Sequence, residues 1–173
     1  MTRPPVLLTR RLPPRAMALL QSRVDLRCNP HDRPLTAEEL RRLAFGVSGI
    51  VATLNDRLDA QVFDEAPNLR VVANYAVGYN NIDLAAAGSR GIIVTNTPGV
   101  LTDATADLTW ALIFAVTRRL GEGERLVRGG GWTGWSPTQL LGLDLRDATL
   151  GIVGMGRIGR AVGLRARGFG MRV

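Results

Sequence analysis

The chain has 173 residues, 46% hydrophobic and 21% charged, so it can form one domain, or one domain and part of a second, around a real core. These values argue against a disordered or fibrous protein. The net charge of +7 comes entirely from arginines that are spread along the sequence. No nucleic-acid partner is therefore expected, because such surfaces combine a basic patch with interleaved aromatic residues.

Short apolar runs alternate with amphipathic stretches in the first 98 residues. Strands are predicted over residues 6–9, 24–27, 49–52, 70–74 and 91–95, and helices over residues 15–22, 37–44 and 59–66. The second helix begins with a capping box, because Glu39 follows Thr36 by three residues. This alternation predicts right-handed βαβ units and a parallel sheet covered on both faces.

The pattern changes after residue 98. A long helix with an apolar stripe is predicted over residues 102–120, followed by an irregular segment over residues 121–131. A central strand is predicted over residues 148–153, and then a helix from Arg157 to about Arg167. Residues 170–173 resemble the opening of another inner strand. Since a sheet rarely ends there, we expect the sequence to be a truncated piece.

A glycine-rich motif lies between the last predicted strand and helix. Its residues are Gly154, Met155, Gly156, Arg157, Ile158 and Gly159, which fit G-x-G-x-x-G. In a dinucleotide-binding loop, the first glycine permits a tight turn, the second admits a pyrophosphate and the third lets helix and strand pack closely. The helix start would offer N–H groups and partial positive charge to phosphates. The alternative is a glycine turn used only for packing.

Cysteine and histidine usage limits the other kinds of site. Cys28 is the single cysteine, which agrees with a reducing, cytoplasmic location, and we expect it to be a packed thiol. It has no cysteine or histidine partner at metal spacing, so no metal site is expected. No apolar run reaches the ~18 residues of a membrane span, and the N-terminus becomes polar too soon for a signal peptide.

Four motifs, taken together, resemble a known family. Residues 71–83 are similar to the substrate-domain signature of D-2-hydroxyacid dehydrogenases. Residues 94–99, followed by residues 105–107, look like that family's hinge and interdomain helix. Residues 134–137 and 150–159 resemble the glyoxylate/hydroxypyruvate reductase branch.

This resemblance implies a fold and an activity. Residues 1–98 would form a flavodoxin-like substrate domain, and residues 99–173 would form the interdomain helix and the start of a Rossmann, doubly wound NAD(P)-binding domain. The implied reaction is hydride transfer between NAD(P)H and a small 2-oxo acid, glyoxylate or hydroxypyruvate. The choice between NAD and NADP stays open, because the acid that contacts the ribose would lie ~20 residues beyond the glycines, past Val173.

The resemblance also implies individual roles. The N–H groups of Val77 and Gly78 would hold the substrate carboxylate, as aligned donors after a strand can, and Leu54 would form another wall of that cleft. The implied cofactor-binding residues are Gly154, Met155, Gly156, Arg157, Ile158, Gly159 and Thr105. For Gly78 and Thr105, a turn-forming glycine and an ordinary helix threonine are the alternatives. Asn80 departs from the family, which often has an acid there.

No catalytic residue is assigned. The family's Arg, Glu and His lie beyond Val173, and His31, the one histidine, is not a candidate. We therefore expect the 173-residue chain to be inactive alone. The complete protein is expected to be a homodimer, with residues 132–141 at the interface and Trp135 near the partner's cleft; a core tryptophan is the alternative. Competing functions are a non-catalytic dinucleotide-binding module and a phosphoglycerate or formate dehydrogenase of the same fold.

Overall fold

The computed structural model describes residues 2–173, which form two compact units. Unit 1 ends at Pro98, and unit 2 is Gly99–Val173. Among the described residues, no helix is both long and apolar enough to cross a bilayer.

Unit 1 is built on a parallel sheet. Its strands are β1 (Pro5–Leu8), β2 (Asp25–Cys28), β3 (Gly49–Ala52), β4 (Val71–Asn74) and β5 (Ile93–Thr95). The five strands lie in the order β2-β1-β3-β4-β5, and every neighbouring pair is parallel. This is the strand order of flavodoxin-like folds. The predicted α/β class with a flavodoxin-like parallel sheet is confirmed.

The two faces of the sheet differ in burial. Ile50 of β3 is buried, whereas Val71 of β4 and Ile93 of β5, which pair with each other on the opposite face, are 36% and 65% exposed. Within unit 1, the prediction of a sheet covered on both faces is therefore correct for one face only. A Cβ on Gly49 would lie 3.3 Å from the side chains of both Val6 and Val71. Glycine therefore allows β3 to fit between the valines of β1 and β4.

Strand β2 lies at the edge of the sheet, and its side chains are largely exposed. Cys28, its last residue, is exposed as well. The expectation of a packed thiol is therefore wrong. The alternating sequence predicted the strand, but it did not predict that β2 would be an edge strand, paired only with β1.

Four helices connect the strands of unit 1. They are α1 (Pro14–Arg23), α2 (Ala37–Ala44), α3 (Ala60–Asp64) and α4 (Leu84–Ser89). The capping box of α2 forms as predicted: Glu39 N–H donates to Thr36 Oγ1 at 3.2 Å, and Thr36 N–H donates to Glu39 Oε2 at 2.9 Å. The six-residue helix α4 was not predicted, because it is too short to reveal a helical period.

Unit 2 begins with two consecutive helices. Helix α5 (Thr102–Thr117) is followed by α6 (Leu120–Arg128), and Arg119 separates them with a left-handed φ of 52°. The prediction of one helix to residue 120 and an irregular segment after it is wrong at this point. Glycines weaken the helical sequence pattern of α6. Ion pairs between residues one turn apart stabilise the helix, such as that between Arg128 Nε and Glu124 Oε1 at 2.5 Å.

The predicted strand over residues 148–153 is also wrong. A single parallel bridge joins Thr149 to Arg172, with Leu150 N–H donating to Arg172 O at 2.8 Å. Val153 is fully exposed. Among the described residues, this single bridge to Arg172 is the only β-pairing of residues 148–153. One bridge is too short to define a strand.

The core of unit 2 is a helix–helix contact. Helix α7 (Arg157–Ala166) packs on α5 through Ala106, Trp110, Val162 and Ala166, all of them buried. The indole N–H of Trp110 donates to Val162 O at 3.0 Å. The ring of Phe169 packs on that of Trp110 with centroids 4.6 Å apart. One tryptophan thus anchors α7 by both apolar and polar contacts.

Candidate functional site

Polar side chains gather at the carboxyl-end edge of the unit 1 sheet. Thr9 follows β1, Thr53 follows β3 and Asn74 ends β4. Thr9 and Asn74 are 0% and 2% exposed, respectively. In open α/β sheets, ligands bind outside the carboxyl ends of the strands, next to the point where the strand order reverses. That point lies between β1 and β3, so this edge is the candidate binding edge of unit 1.

Asp56 organises the loop that follows β3. Its Oδ2 accepts hydrogen bonds from Thr9 Oγ1 at 2.5 Å, from Thr53 N–H at 2.7 Å and from Thr53 Oγ1 at 2.9 Å. Asp56 is only 2% exposed, and its Oδ1 has no partner among the described residues. Asp56 was not among the site residues predicted from the sequence. Its spacing of three from Thr53, after a strand, is a turn signal that could have identified it.

The turn after β4 exposes its N–H groups. Among residues 2–173, no group accepts a hydrogen bond from the N–H of Val77 or Gly78. Their carbonyl groups are held instead: Asn96 Nδ2 donates to Val77 O at 2.8 Å, and Asn74 Nδ2 donates to Gly78 O at 2.8 Å. A turn with bound carbonyls and free N–H groups is suited to an anion.

A groove separates the loop after β3 from the turn after β4. It is lined by residues 54–55, 57–59 and 80–83, so Leu54, which is 61% exposed, forms part of its wall. Val77 and Gly78 do not line this groove. The structure therefore places the three residues assigned to substrate on two neighbouring loops of unit 1, but not in one cavity of that unit.

The glycine motif of unit 2 forms a tight bend before α7. Gly154 has a φ of +99°, a conformation that favours glycine. A Cβ on Gly159 would overlap the carbonyl oxygen of Gly154, so the third glycine is required for the close approach of helix and bend. A Cβ on Gly156 would meet nothing within 4 Å. The second glycine thus faces open space, where a ligand can approach the backbone.

The start of α7 is uncapped. Gly156 occupies the capping position without a side chain, and no group of residues 2–173 accepts from the N–H of Arg157 or Ile158. Free N–H groups and the helix dipole give such an end a partial positive charge. The Arg160 guanidinium donates to Met155 O at 3.1 Å and so holds the bend from the helix side.

Thr105 lies in the first turns of α5 and is half-buried. The neighbouring surface of α5 is tied to α7 by Arg165, which contacts Asp107 at 2.8 Å and Asp103 at 3.1 Å. Hydrogen bonding to Asp103 raises the pKa of the Arg165 guanidinium above its ordinary value. These contacts fix α5, and with it Thr105, relative to the helix that follows the glycine bend.

Other residues singled out in the sequence lie apart from these elements. His31 is in an exposed turn, where its backbone N–H donates to Asn29 Oδ1 at 3.0 Å. Trp135 is 83% exposed, so the alternative of a core tryptophan is wrong. In the part of the chain that the structure describes, no group of three or more metal-ligating side chains forms a candidate metal site.

Comparison with known proteins places these elements in context. The family model for the catalytic domain of D-isomer specific 2-hydroxyacid dehydrogenases matches residues 6–159. The glyoxylate reductase of Thermococcus kodakarensis is 49% identical over 175 residues, which cover 99% of this chain and 53% of that protein. The chain spans about half the length of the curated relatives that it matches.

Solved structures agree with this likeness. The crystal structure of a D-isomer specific 2-hydroxyacid dehydrogenase from Polaromonas sp. JS6 66 matches with a TM-score of 0.93 and 44% identity, covering 98% of this chain and 53% of that one. Protein TT0316 from Thermus thermophilus matches with a TM-score of 0.90 and 52% identity, covering 98% of this chain and 54% of that one.

Proposed function

Because the chain belongs to the D-isomer specific 2-hydroxyacid dehydrogenase family, we propose that it is the substrate unit and phosphate-binding loop of an NAD(P)-dependent reductase. The reaction transfers a hydride from NAD(P)H and a proton to the C2 carbonyl of glyoxylate or hydroxypyruvate, giving the 2-hydroxy acid and NAD(P)⁺. The observation that best supports this function is the glycine bend, which leads into helix α7 with free N–H groups at its start. In this proposal, unit 1 is the substrate domain and unit 2 begins the cofactor domain.

The residues of the bend fit a dinucleotide pyrophosphate. Gly156 leaves its backbone open, and the N–H groups of Arg157 and Ile158 have no partner among the described residues. Met155 completes the backbone of the bend, and the Arg157 guanidinium adds a positive charge. Gly154 and Gly159 make the bend possible without touching phosphate. We assign Thr105, on the adjoining helix α5, to the nicotinamide side.

A nicotinamide dinucleotide supplies hydride chemistry when bound. The contribution of the chain itself is to bind and orient. Helix α7 directs its positive end at the phosphates, and the bend, fixed by close packing, holds that end in place. The choice between NAD and NADP depends on the group at the adenine ribose, which none of these residues is proposed to contact.

The substrate is assigned to the carboxyl-end edge of unit 1. The N–H groups of Val77 and Gly78 donate to the carboxylate of the 2-oxo acid, since no group of residues 2–173 occupies them. Leu54, which is 61% exposed on the neighbouring loop, is assigned as an apolar wall of the substrate cleft.

We further propose that the complete protein is a cytoplasmic homodimer. Trp132, Trp135 and Leu141 are 56%, 83% and 64% exposed, and large apolar side chains exposed within one ten-residue segment favour an interface. The exposed free thiol of Cys28 agrees with a reducing compartment. Sedimentation of the complete protein should give a dimer, and Trp135→Ser should shift it toward monomer; a wild-type monomer would contradict this assignment.

Substitution of the glycines tests the cofactor site. Cofactor binding by the chain can be followed by calorimetry with NAD⁺ and NADP⁺. Gly156→Ala adds a Cβ where the structure is open, so we expect an unchanged fold and at least about tenfold weaker binding. Gly168→Ala is the matched control, because its Cβ also meets nothing within 4 Å and lies away from the bend. Equal binding by both variants would contradict the proposal.

Activity separates the enzyme from a binding module. The 173-residue chain is expected to bind a dinucleotide without turnover, whereas the longer protein should oxidise NAD(P)H when glyoxylate is added. Turnover by the chain alone would contradict the view that the second half is essential. Binding without turnover in the longer protein would favour the non-catalytic module.

A further inference from the structure

The side-chain amide of Asn81 lies between the two loops assigned to the substrate. Its Nδ2 donates to Thr53 O and to Asp56 O, both at 3.1 Å, on the loop after β3. The same amide is 3.3 Å from Asn74 Oδ1. Asn81 itself belongs to the turn after β4. One side chain therefore joins the loop that carries Leu54 to the turn that carries Gly78.

Asn74 continues this connection. It is 2% exposed, and its Nδ2 donates to Gly78 O at 2.8 Å and to Asn81 Oδ1 at 3.3 Å. Asn74 is the donor between the two amides, because both hydrogens of Asn81 Nδ2 already go to Thr53 O and Asp56 O. A continuous path of hydrogen bonds leads from the Gly78 carbonyl, through both amides, to the Thr53 carbonyl.

Backbone bonds strengthen the same junction. Leu58 N–H donates to Asn81 O at 2.8 Å, and Asp83 N–H donates to Leu58 O at 2.8 Å. Leu58 and Ile82, which pair in an isolated parallel bridge, are 0% and 6% exposed. Because the backbones are paired and buried here, displacement of one loop requires displacement of the other.

We propose that Asn81 is a positioning residue, which fixes the spacing between Leu54 and the Val77–Gly78 N–H groups and thereby shapes the site for a small 2-oxo acid. This inference rests on the proposed function. Asn81 acts through the carbonyl groups that it binds and does not contact substrate. The Asn81 amide bonds to the loop after β3 and to Asn74, whereas the Asp56 carboxylate binds only Thr9 and Thr53 among the described residues.

The chemistry of the side chain explains why asparagine is needed. Asn81 must donate to carbonyl oxygens on one loop and accept from Asn74 on the other, which requires both halves of an amide. Asn81→Asp would place a second oxygen against the carbonyls of Thr53 and Asp56, and the contacts would become repulsive. Asn81→Ala removes the amide without introducing repulsion.

The test compares Asn81→Asp and Asn81→Ala with Asn68→Asp and Asn68→Ala. Asn68 is exposed, its side chain forms no hydrogen bond among the described residues, and it precedes β4, outside the two loops assigned to the substrate, so its two variants are matched controls. Backbone amide resonances of the 173-residue chain are measured by NMR without ligand and during titration with glyoxylate or with oxalate, a stable dicarboxylate. Amide exchange at Ile50 and Val72 reports whether the sheet stays folded.

We expect both Asn81 variants to shift the resonances of residues 53–58 and 74–79 together while the exchange of Ile50 and Val72 is retained. Oxalate affinity should fall by about tenfold, and both Asn68 variants should match the wild type in both measurements. A purely structural role would lower the melting temperature without changing the affinity of the folded protein. Shifts confined to residues 80–82 would overturn the proposal, as would unchanged oxalate affinity in a chain that binds it.

Failure of the proposed function gives a different result. If neither anion shifts the Val77 and Gly78 resonances of the wild type, the substrate assignment fails, while the ligand-free spectra still decide whether Asn81 couples the loops. If both Asn81 variants unfold, amide hydrogen exchange of the wild type provides the test. The Leu58 and Asp83 N–H groups should then have the same free energy of opening, because the two loops move together. Clearly unequal protection of these two groups would overturn the coupling.

Discussion

The turn after β4 in unit 1 and the glycine bend in unit 2 both present free N–H groups, but they are supported in different ways. The unit 1 turn is held by side-chain amides, since Asn74 and Asn96 bind the carbonyls of Gly78 and Val77. The unit 2 bend is held by the absence of side chains, because Gly159 must approach Gly154 O. The first depends on polar groups being present, and the second on Cβ atoms being absent. Substitutions should therefore affect the two elements differently.

The two units also differ in what lies beneath these elements. Unit 1 has a core that joins its sheet to α2, α3 and α4. In unit 2, the buried cluster consists of Ala106, Trp110, Val162 and Ala166 from two helices. Trp110 is thus the one large residue in the buried cluster of unit 2, whereas the core of unit 1 buries several large side chains.

The largest effect is expected from Trp110→Ala. This change removes a buried indole and its hydrogen bond to Val162 O, and substitutions of this type cost about 3–5 kcal/mol. Hydrogen-exchange mass spectrometry should show faster exchange in α5 and α7 but not in β3 and β4. Trp132→Ala, at a site 56% exposed, is the control. Equal loss of hydrogen-exchange protection in both units would contradict the proposed difference between them.

A smaller loss is expected from Asp56→Ala, about 1–3 kcal/mol, because Thr9 Oγ1 and Thr53 N–H would lose their buried acceptor. Asp56→Asn should cost less, since an amide oxygen can still accept at the position of Oδ2. Urea unfolding measures both, with the exposed Asn55→Ala as control. If Ala and Asn variants were equally stable, the polar network would not be what supports this edge.

The smallest effect is expected from Glu39→Gln, and it depends on pH. A hydrogen bond from Arg33, and then one from Thr36 N–H, lower the pKa of Glu39 to about 2 from 4.5. Because the folded-state pKa is the lower one, the carboxylate stabilises the fold above pH about 4.5, and this contribution disappears as the pH falls to about 2. Thermal melts across this range should show wild type and variant converging at the acid end.

Neither the turn after β4 nor the glycine bend should respond to Glu39→Gln, because the capping box lies at the start of α2. The N–H resonances of Val77 and Gly156 report this directly. A change at either residue would mean that the surface pair is coupled to the candidate site, and the contrast between the two elements would have to be revised.

The elements with a clear local signal were predicted well. The capping box placed α2 at Ala37–Ala44, β3 was predicted at Gly49–Ala52, and the glycine motif led into a helix that begins at Arg157. Two errors share one cause. The stretch over residues 148–153 has the composition of a strand, and α6 has diluted helical periodicity, but each outcome depends on neighbours that composition does not reveal.

By itself, the sequence determined the α/β fold, the parallel sheet and the glycine bend, because apolar periodicity, capping residues and glycine spacing act over a few neighbouring residues. Only the tertiary structure identified Asp56, Asn74 and Asn81 as the polar network at the sheet edge. Asn81 bonds to Thr53 across 28 positions of sequence, and Asp56 bonds to Thr9 across 47. Contacts at such separations exist only after β1, β3 and β4 have come together, so no local pattern could predict them.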